Sequence, residues 1–125
     1  MPRKDSILKT KTETFALRVI KLHQYLTREM HEVVMAKQLY RSGTSIGANV
    51  AESINAQTKA DFITKLSIAL KEANETQYWI KMCHQAGLID QRGFNSINND
   101  NEEIIKLLVS SIKTARRNLE NDEKE

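Results

Sequence analysis

Residues that interrupt helices or cross-link chains are scarce in this sequence. The 125 residues include only four Gly, one Pro and one Cys, and the Pro is Pro2. So few Gly and Pro residues argue against a turn-rich sandwich or barrel and favour long helices. The lone Cys83 excludes an intramolecular disulfide framework and a four-cysteine zinc site.

Long apolar runs are also missing. No stretch approaches the roughly 18 uninterrupted apolar residues that a membrane span requires, and residues 1–5 (MPRKD) lack the apolar segment of a signal peptide. These two absences predict a cytoplasmic protein. The length is that of one ordinary domain, which can bury a core without a metal or a disulfide.

Charge is unevenly spread along the chain. The formal net charge is +3, but residues 1–41 hold nine Lys and Arg against four acids. Residues 42–89 balance, and residues 90–125 carry a small acidic excess that is concentrated at the very end. A basic N-terminal part is compatible with binding to a phosphate backbone, and it is equally compatible with an ordinary solvated helix face.

Apolar residues recur at steps of three and four, which predicts an all-α protein with four amphipathic helices. The helices are predicted at residues 12–28, 30–56, 59–86 and 90–119. The domain organisation that follows is a flexible basic N-terminus at 1–11, a bundle domain at 12–119 and a disordered acidic tail at 120–125. The alternative for residues 1–11 is that they extend the first helix.

Two glycines mark the second predicted helix. Gly43 and Gly47 lie four residues apart and therefore on one face. Because glycine costs roughly 1 kcal/mol relative to Ala inside a helix, this pair suggests a neighbour that must approach closely. A helix break at residues 41–45 is the alternative, but the apolar stripe keeps its phase across Gly43, which favours one continuous helix.

Sequence signals also mark the ends of the later helices. Thr58 with Asp61 three residues on predicts an N-terminal cap, and Gly87 is placed to end the third helix. Asp90 is then the predicted cap of the fourth.

Short connections between long helices predict an antiparallel up-down-up-down four-helix bundle. Apolar residues also extend beyond one stripe on the third and fourth helices, for example at Ile68, Trp79 and Val109. A helix that is apolar around so much of its circumference is typical of one with a second partner. We therefore expect a homo-oligomer, the alternative being single exposed apolar residues on a monomer.

Groups that could carry out catalysis are few. Glu72 and Glu75 share a helix face but lack the histidine that a di-iron bundle requires. Cys83 lies in the core phase and is expected to be a small buried side chain. We expect no metal, no cofactor, no small-molecule substrate and no enzymatic activity.

One catalytic alternative rests on Arg18 and His23, which are separated by four residues. This spacing resembles the Arg-x(4–6)-His motif of the HEPN ribonucleases, where a His acts in acid–base roles on RNA. The alternative reading places both side chains on the solvated flank of the first helix.

Two longer segments carry a more specific resemblance. They are residues 38–53 (QLYRSGTSIGANVAES) and residues 61–79 (DFITKLSIALKEANETQYW). Both resemble the family of small four-helix-bundle proteins encoded in intervening sequences of 23S ribosomal RNA genes. Its Ser-Ile-x-x-Asn-x-x-Glu core is present as Ser45, Ile46, Asn49 and Glu52.

This resemblance implies a four-helix bundle that assembles into a ring of five. The family is also similar to the accessory variability protein of diversity-generating retroelements, a basic pentamer that engages nucleic acid and a reverse transcriptase. The resemblance to the intervening-sequence family implies no catalytic residues. We expect Asn49 and Glu52 to make hydrogen bonds between helices or to a neighbouring subunit.

The most consistent interpretation is a non-enzymatic oligomer that binds RNA, DNA or a nucleic-acid-handling protein such as a reverse transcriptase. The predicted phosphate contacts are Arg18, Lys21, Lys37 and Arg41, with Lys59 and Lys65 secondary. The predicted structural or interface residues are Gly43, Ser45, Ile46, Gly47, Asn49, Glu52 and Trp79. The alternatives are a protein-interaction scaffold without nucleic-acid binding and the ribonuclease that uses Arg18 and His23.

Overall fold

A computed structural model describes residues 4–124, with side chains from residue 7 onward. Over this range the chain forms four α-helices and no strand. They are α1 (Lys4–Arg28), α2 (Val34–Ile54), α3 (Lys59–Gln85) and α4 (Gln91–Lys124). The predicted all-α fold is confirmed. No helix within the described range is long and apolar enough to cross a membrane.

The four helices surround one core. Each helix packs against two neighbours, in the cyclic order α1–α2–α3–α4–α1, and within the described residues the Cα atoms of the two diagonal pairs stay more than 8 Å apart. This arrangement is that of a four-helix bundle. The largest side chains at its centre are fully buried: Phe15, Leu8, Leu26, Leu39, Ile46, Leu66, Ile80, Ile104 and Leu108.

The first helix begins earlier than the apolar pattern predicted. Residues 4–11 are helical, so most of the segment expected to be flexible belongs to α1, as the alternative had it. The reason is that Leu8 and Thr12 continue the buried stripe one turn at a time. Thr12 is tolerated inside because its hydroxyl donates to the Leu8 carbonyl at 2.8 Å. Residues 1–3 of the predicted N-terminal segment lie outside the described range.

The connection between α1 and α2 is longer than predicted, because α2 begins at Val34 and not at Met30. His31 adopts a left-handed backbone, with φ 55°. One carboxylate oxygen of Glu32 then accepts from the backbone N–H groups of Val34 and Met35, both at 2.9 Å. Because that carboxylate satisfies amides that have no partner within the helix, the helix starts there.

The second helix runs without a break through Gly43, as predicted. A Cβ atom at Gly43 would lie 2.8 Å from both methyl groups of Val19, and one at Gly47 would lie 3.2 Å from the Thr12 carbonyl oxygen. The close neighbour that the glycine spacing predicted is therefore α1.

The predicted caps at the start of α3 and of α4 and the predicted end of α3 are confirmed. The Thr58 hydroxyl accepts from the Asp61 N–H at 3.0 Å, and the Asp90 carboxylate accepts from the Gly93 N–H at 2.7 Å. Gly87, with φ 77°, ends α3. The N–H of Gly87 donates to the His84 carbonyl, and the N–H of Leu88 donates to the Cys83 carbonyl. This pair of bonds is the Schellman arrangement.

The fourth helix continues beyond the predicted end at Leu119 and reaches Lys124. Residues 120–124 are therefore helical rather than disordered, and Glu125 lies outside the described range. No Gly or Pro follows Gly93, so nothing in the sequence stops the helix. An ion pair between Asp122 and Lys59 also ties this segment to the start of α3.

Candidate nucleic-acid interface

Arg18, the first of the predicted phosphate contacts, forms an intramolecular ion pair. Its guanidinium lies 2.5 Å from the Asp100 carboxylate of α4 and donates to the Ser96 hydroxyl at 2.9 Å. A paired and partly covered guanidinium has little capacity left for a phosphate. Arg18 therefore joins α1 to α4 in this structure.

Arg41 is likewise engaged, because it pairs with both Glu72 and Glu75 across the α2–α3 contact. Burial raises the pKa of the Glu75 carboxyl, but hydrogen bonds from Arg41 and Trp79 and nearby positive charge outweigh it. The net effect is a pKa below the ordinary value of 4.5. Two carboxylates beside one guanidinium leave a net negative charge, so this is not an anion-binding site.

The two secondary candidates are also paired. Lys59 binds Asp122 of α4, and the Lys65 amine lies 3.4 Å from the Glu52 carboxylate. Only Lys21 and Lys37 remain exposed and, within the described range, free of an ion pair. The six predicted residues therefore do not form one open basic surface.

A group of bases that the sequence reasoning missed lies on the C-terminal half of α4. It consists of Lys106, Lys113, Arg116 and Arg117, all of them exposed. No carboxylate of the described residues forms an ion pair with any of them. The signal was available in the sequence, because residues 104–119 hold four bases and no acid. Summing the charge over residues 90–125 concealed it.

The predicted structural residues of α2 bond mostly within their own helix. The Ser45 hydroxyl donates to the Arg41 carbonyl at 2.6 Å, and the Asn49 amide donates to the Ser45 carbonyl at 2.9 Å. Asn49 thus makes no bond between helices in this protomer, although that was one expectation. Glu52 does link two helices, through Lys65, and Ile46 is fully buried.

Arg18 and His23 are not brought together. Five residues of helix separate them by about 140° around the axis, so Arg18 contacts α4 while the His23 ring lies 5.0 Å from the Tyr40 ring of α2. The ribonuclease motif requires both groups at one phosphate, which this arrangement within a protomer does not provide.

Apolar side chains remain exposed where the sequence suggested a second partner. Ile68 is 38% exposed, Tyr78 54% and Val109 43%. Trp79 is half-buried, with its indole N–H donating to Glu75 at 3.2 Å and its ring edge-on to Tyr78. The surface thus carries apolar area that a partner could cover.

The remaining reactive groups of the described residues are the Cys83 thiol and the side chains that could ligate a metal ion. Cys83 is completely buried, and this burial, with a smaller contribution from the charge of Glu32, raises the pKa of its thiol to about 11. A thiol with so high a pKa is a poor nucleophile near neutral pH. Among the described residues, no group of three His, Cys, Asp or Glu could hold a metal ion.

The chain matches known proteins over most of its length. The family model described as 23S rRNA-intervening sequence protein matches residues 4–110. A solved structure from Bacteroides thetaiotaomicron, a protein with unknown function from the S23 ribosomal protein family, is 52% identical. The match covers 89% of this chain and 99% of that one, with a TM-score of 0.88. No curated protein sequence matches. The chain belongs to the family of 23S rRNA-intervening sequence proteins.

Proposed function

We propose that this protein is a non-enzymatic, cytoplasmic homo-oligomer of up-down-up-down bundles that binds nucleic acid through exposed bases. The observation that carries the proposal is a charge balance. Within residues 7–124, twelve bases and eight acids take part in no ion pair, because bases already outnumber acids over this range and Arg41 engages two carboxylates. The exposed charge left for a partner is positive, which suits a phosphate backbone.

The antiparallel order is supported by contacts between helices. Lys11 pairs with Glu103 while Arg18, further along α1, pairs with Asp100, which is earlier in α4. On the other side of the bundle, Arg41 pairs with Glu72 and Glu75, whereas the later Glu52 pairs with the earlier Lys65.

Oligomerisation is supported by the exposed apolar side chains of α3, Ile68 and Tyr78, and the resemblance suggests five copies. Sedimentation at micromolar concentration is expected to give a multiple of the 14.3 kDa protomer mass. A well-folded species at 14.3 kDa, with Tyr78 and Ile68 solvated, would contradict this part of the proposal.

Nucleic-acid binding is tested by titrating a labelled ribosomal RNA fragment into nuclease-treated protein at about 50 and about 200 mM salt. We expect affinity that is measurable at the lower salt and falls at least tenfold at the higher. Absence of binding at low salt, or an affinity independent of salt, would refute the proposal and favour the scaffold alternative.

The ribonuclease alternative has its own test. We expect the protein to leave RNA intact in a gel-based cleavage assay, with no difference between wild type and His23→Ala. Cleavage by the wild type that is lost in His23→Ala and in Arg18→Ala would show that the protein is an enzyme.

A further inference from the structure

The C-terminal half of α4 presents bases on the side of the helix that faces away from the core. Lys106, Lys113 and Arg117 are seven and four residues apart, so they lie along one face. The opposite face carries Ile104, Leu108 and Ile112, which are buried against the bundle. Since the buried face fixes the rotation of the helix, the three bases must point to solvent. Together with Arg116 beside them, they form what we call the α4 stripe.

The flanking acids do not neutralise the α4 stripe. Glu103 is held by Lys11 at 2.5 Å and Asp122 by Lys59, both on other helices. Glu102, at the N-terminal end of the stripe, accepts from the Asn98 amide at 3.2 Å. The next acid along the helix, Glu120, follows Arg117 and forms no ion pair within the described range. The four bases of the stripe therefore outnumber the two flanking acids without an ion pair, Glu102 and Glu120, and the surface keeps a net positive charge.

The composition of the α4 stripe favours a nucleic-acid backbone over a protein partner. Interfaces between proteins are enriched in aromatic side chains and Arg and depleted in Lys, whereas residues 104–119 contain no aromatic residue, two Lys and two Arg, the last being common to both kinds of interface. Exposed Lys and Arg side chains contact phosphates, and such contacts carry no sequence preference.

The form of the nucleic acid can also be inferred. Proteins that bind single strands stack bases on aromatic side chains, and the α4 stripe has none. Lys106 and Arg117 are separated by about 16 Å along the axis, a length comparable with the roughly 12 Å major groove of a duplex. An exposed helix with bases along it can thus reach phosphates on both sides of a groove.

We propose that the α4 stripe, formed by Lys106, Lys113 and Arg117 with Arg116 at its edge, is the surface that contacts the phosphates of double-stranded nucleic acid. This inference rests on the proposed function and assigns it to α4 rather than to the bases of α1 and α2. The partner is an RNA or DNA duplex, bound through its backbone.

The test compares two variants that remove equal charge from exposed positions. The stripe variant carries Lys106→Gln, Lys113→Gln and Arg117→Gln, and the control carries Lys9→Gln, Lys81→Gln and Arg92→Gln, three exposed bases without an ion pair in the described range. Both are titrated with a labelled duplex and with one of its single strands over a salt series. Circular dichroism and sedimentation verify that each variant keeps the fold and the assembly of the wild type.

We expect the stripe variant to lose about tenfold or more in duplex affinity at low salt, with the slope of log affinity against log salt reduced by about three. The control is expected to stay within about threefold of the wild type. Equal effects of the two variants, or a larger effect of the control, would overturn the assignment to α4 while leaving nucleic-acid binding intact.

Two other outcomes are also decisive. A wild type that binds neither duplex nor single strand overturns the proposed function, and the stripe assignment fails with it. Tighter binding to the single strand than to the duplex, with the same dependence on the α4 stripe, keeps the surface and overturns the choice of duplex.

Discussion

The first helix meets its two neighbours in different ways. Against α2 the contact is close and apolar, because Gly43 and Gly47 leave room for Val19 and for the Thr12 backbone. Against α4 the contact is less extensive and is bridged by Lys11–Glu103 and Arg18–Asp100. A cleft of about 390 Å³, lined in part by Leu22, lies on that side. The α1–α2 contact therefore depends on shape, and the α1–α4 contact depends largely on charge.

The largest expected effect is at the close contact. Gly43→Ala places a Cβ atom 2.8 Å from both methyl groups of Val19. Val19 is fully buried, and its β-branched side chain has one strongly preferred rotamer in a helix, so it cannot rotate away. Overpacking of this kind costs about 1–3 kcal/mol, more than the helix propensity gained. Urea unfolding is expected to show that loss of stability.

The matched control is Gly93→Ala on α4. Its new Cβ atom would lie 3.1 Å from the Asp90 carboxylate, an exposed side chain that can shift by a few tenths of an ångström, so a change in stability much smaller than that of Gly43→Ala is expected. If Gly43→Ala were as well tolerated as Gly93→Ala, shape would not be what holds α1 to α2.

A smaller gain is expected where the chain passes from α1 to α2. His31 has φ 55°, a conformation that costs a residue with a Cβ atom about 1 kcal/mol. His31→Gly is therefore expected to raise the unfolding free energy by up to about 1 kcal/mol, whereas His31→Ala keeps the Cβ atom and should give no gain. A destabilised glycine variant would show that the imidazole makes a contribution larger than the strain.

The ionic contact with α4 should be worth less. A double-mutant cycle with Arg18→Gln and Asp100→Asn is expected to give a coupling of at most about 1 kcal/mol, because both side chains are partly exposed. The coupling should shrink as salt rises. Lys21→Gln, which removes a base that has no ion pair, serves as the control. A coupling energy well above about 1 kcal/mol that does not change with salt would contradict the expectation that the ionic α1–α4 contact is weaker than the α1–α2 contact at Gly43.

The smallest effect is a pH dependence at the α2–α3 contact. Because the pKa of Glu75 is lowered in the folded state, its contribution to stability is present above the unfolded pKa of about 4.3. It is lost as the pH falls through the lower, folded pKa. Arg41→Gln should therefore destabilise at neutral pH and matter less at about pH 3. Parallel pH profiles for wild type and Arg41→Gln would contradict this.

The fold was readable because it depends on periodicity. Residues such as Leu39, Ile46 and Leu108 repeat at helical steps and are buried as predicted. The glycine contact was readable for the same reason, since Gly43 and Gly47 signal a close neighbour. The early start of α1 was missed because Ile7 and Leu8 are the only large apolar residues between Pro2 and Phe15.

The candidate site was readable only in part. Arg18 is available to a phosphate only if α1 is rotated so that its side chain does not meet Asp100, 82 positions away. A single sequence does not determine how two helices are rotated relative to each other. The α4 stripe was overlooked because a charge sum over residues 90–125 mixed it with acids that Lys11 and Lys59 engage.

The 34 residues of α4 extend about 51 Å, against about 32 Å for the 21 residues of α2. Its last buried side chain is Ile112, and in the final dozen residues Ala115 and Leu119 pack against the core but are only partly buried. Amide hydrogens should therefore exchange progressively faster from Ile112 toward the end. A molecule that docks on residues 113–124 would slow that exchange, and the cost of ordering the end of the helix would reduce its binding free energy.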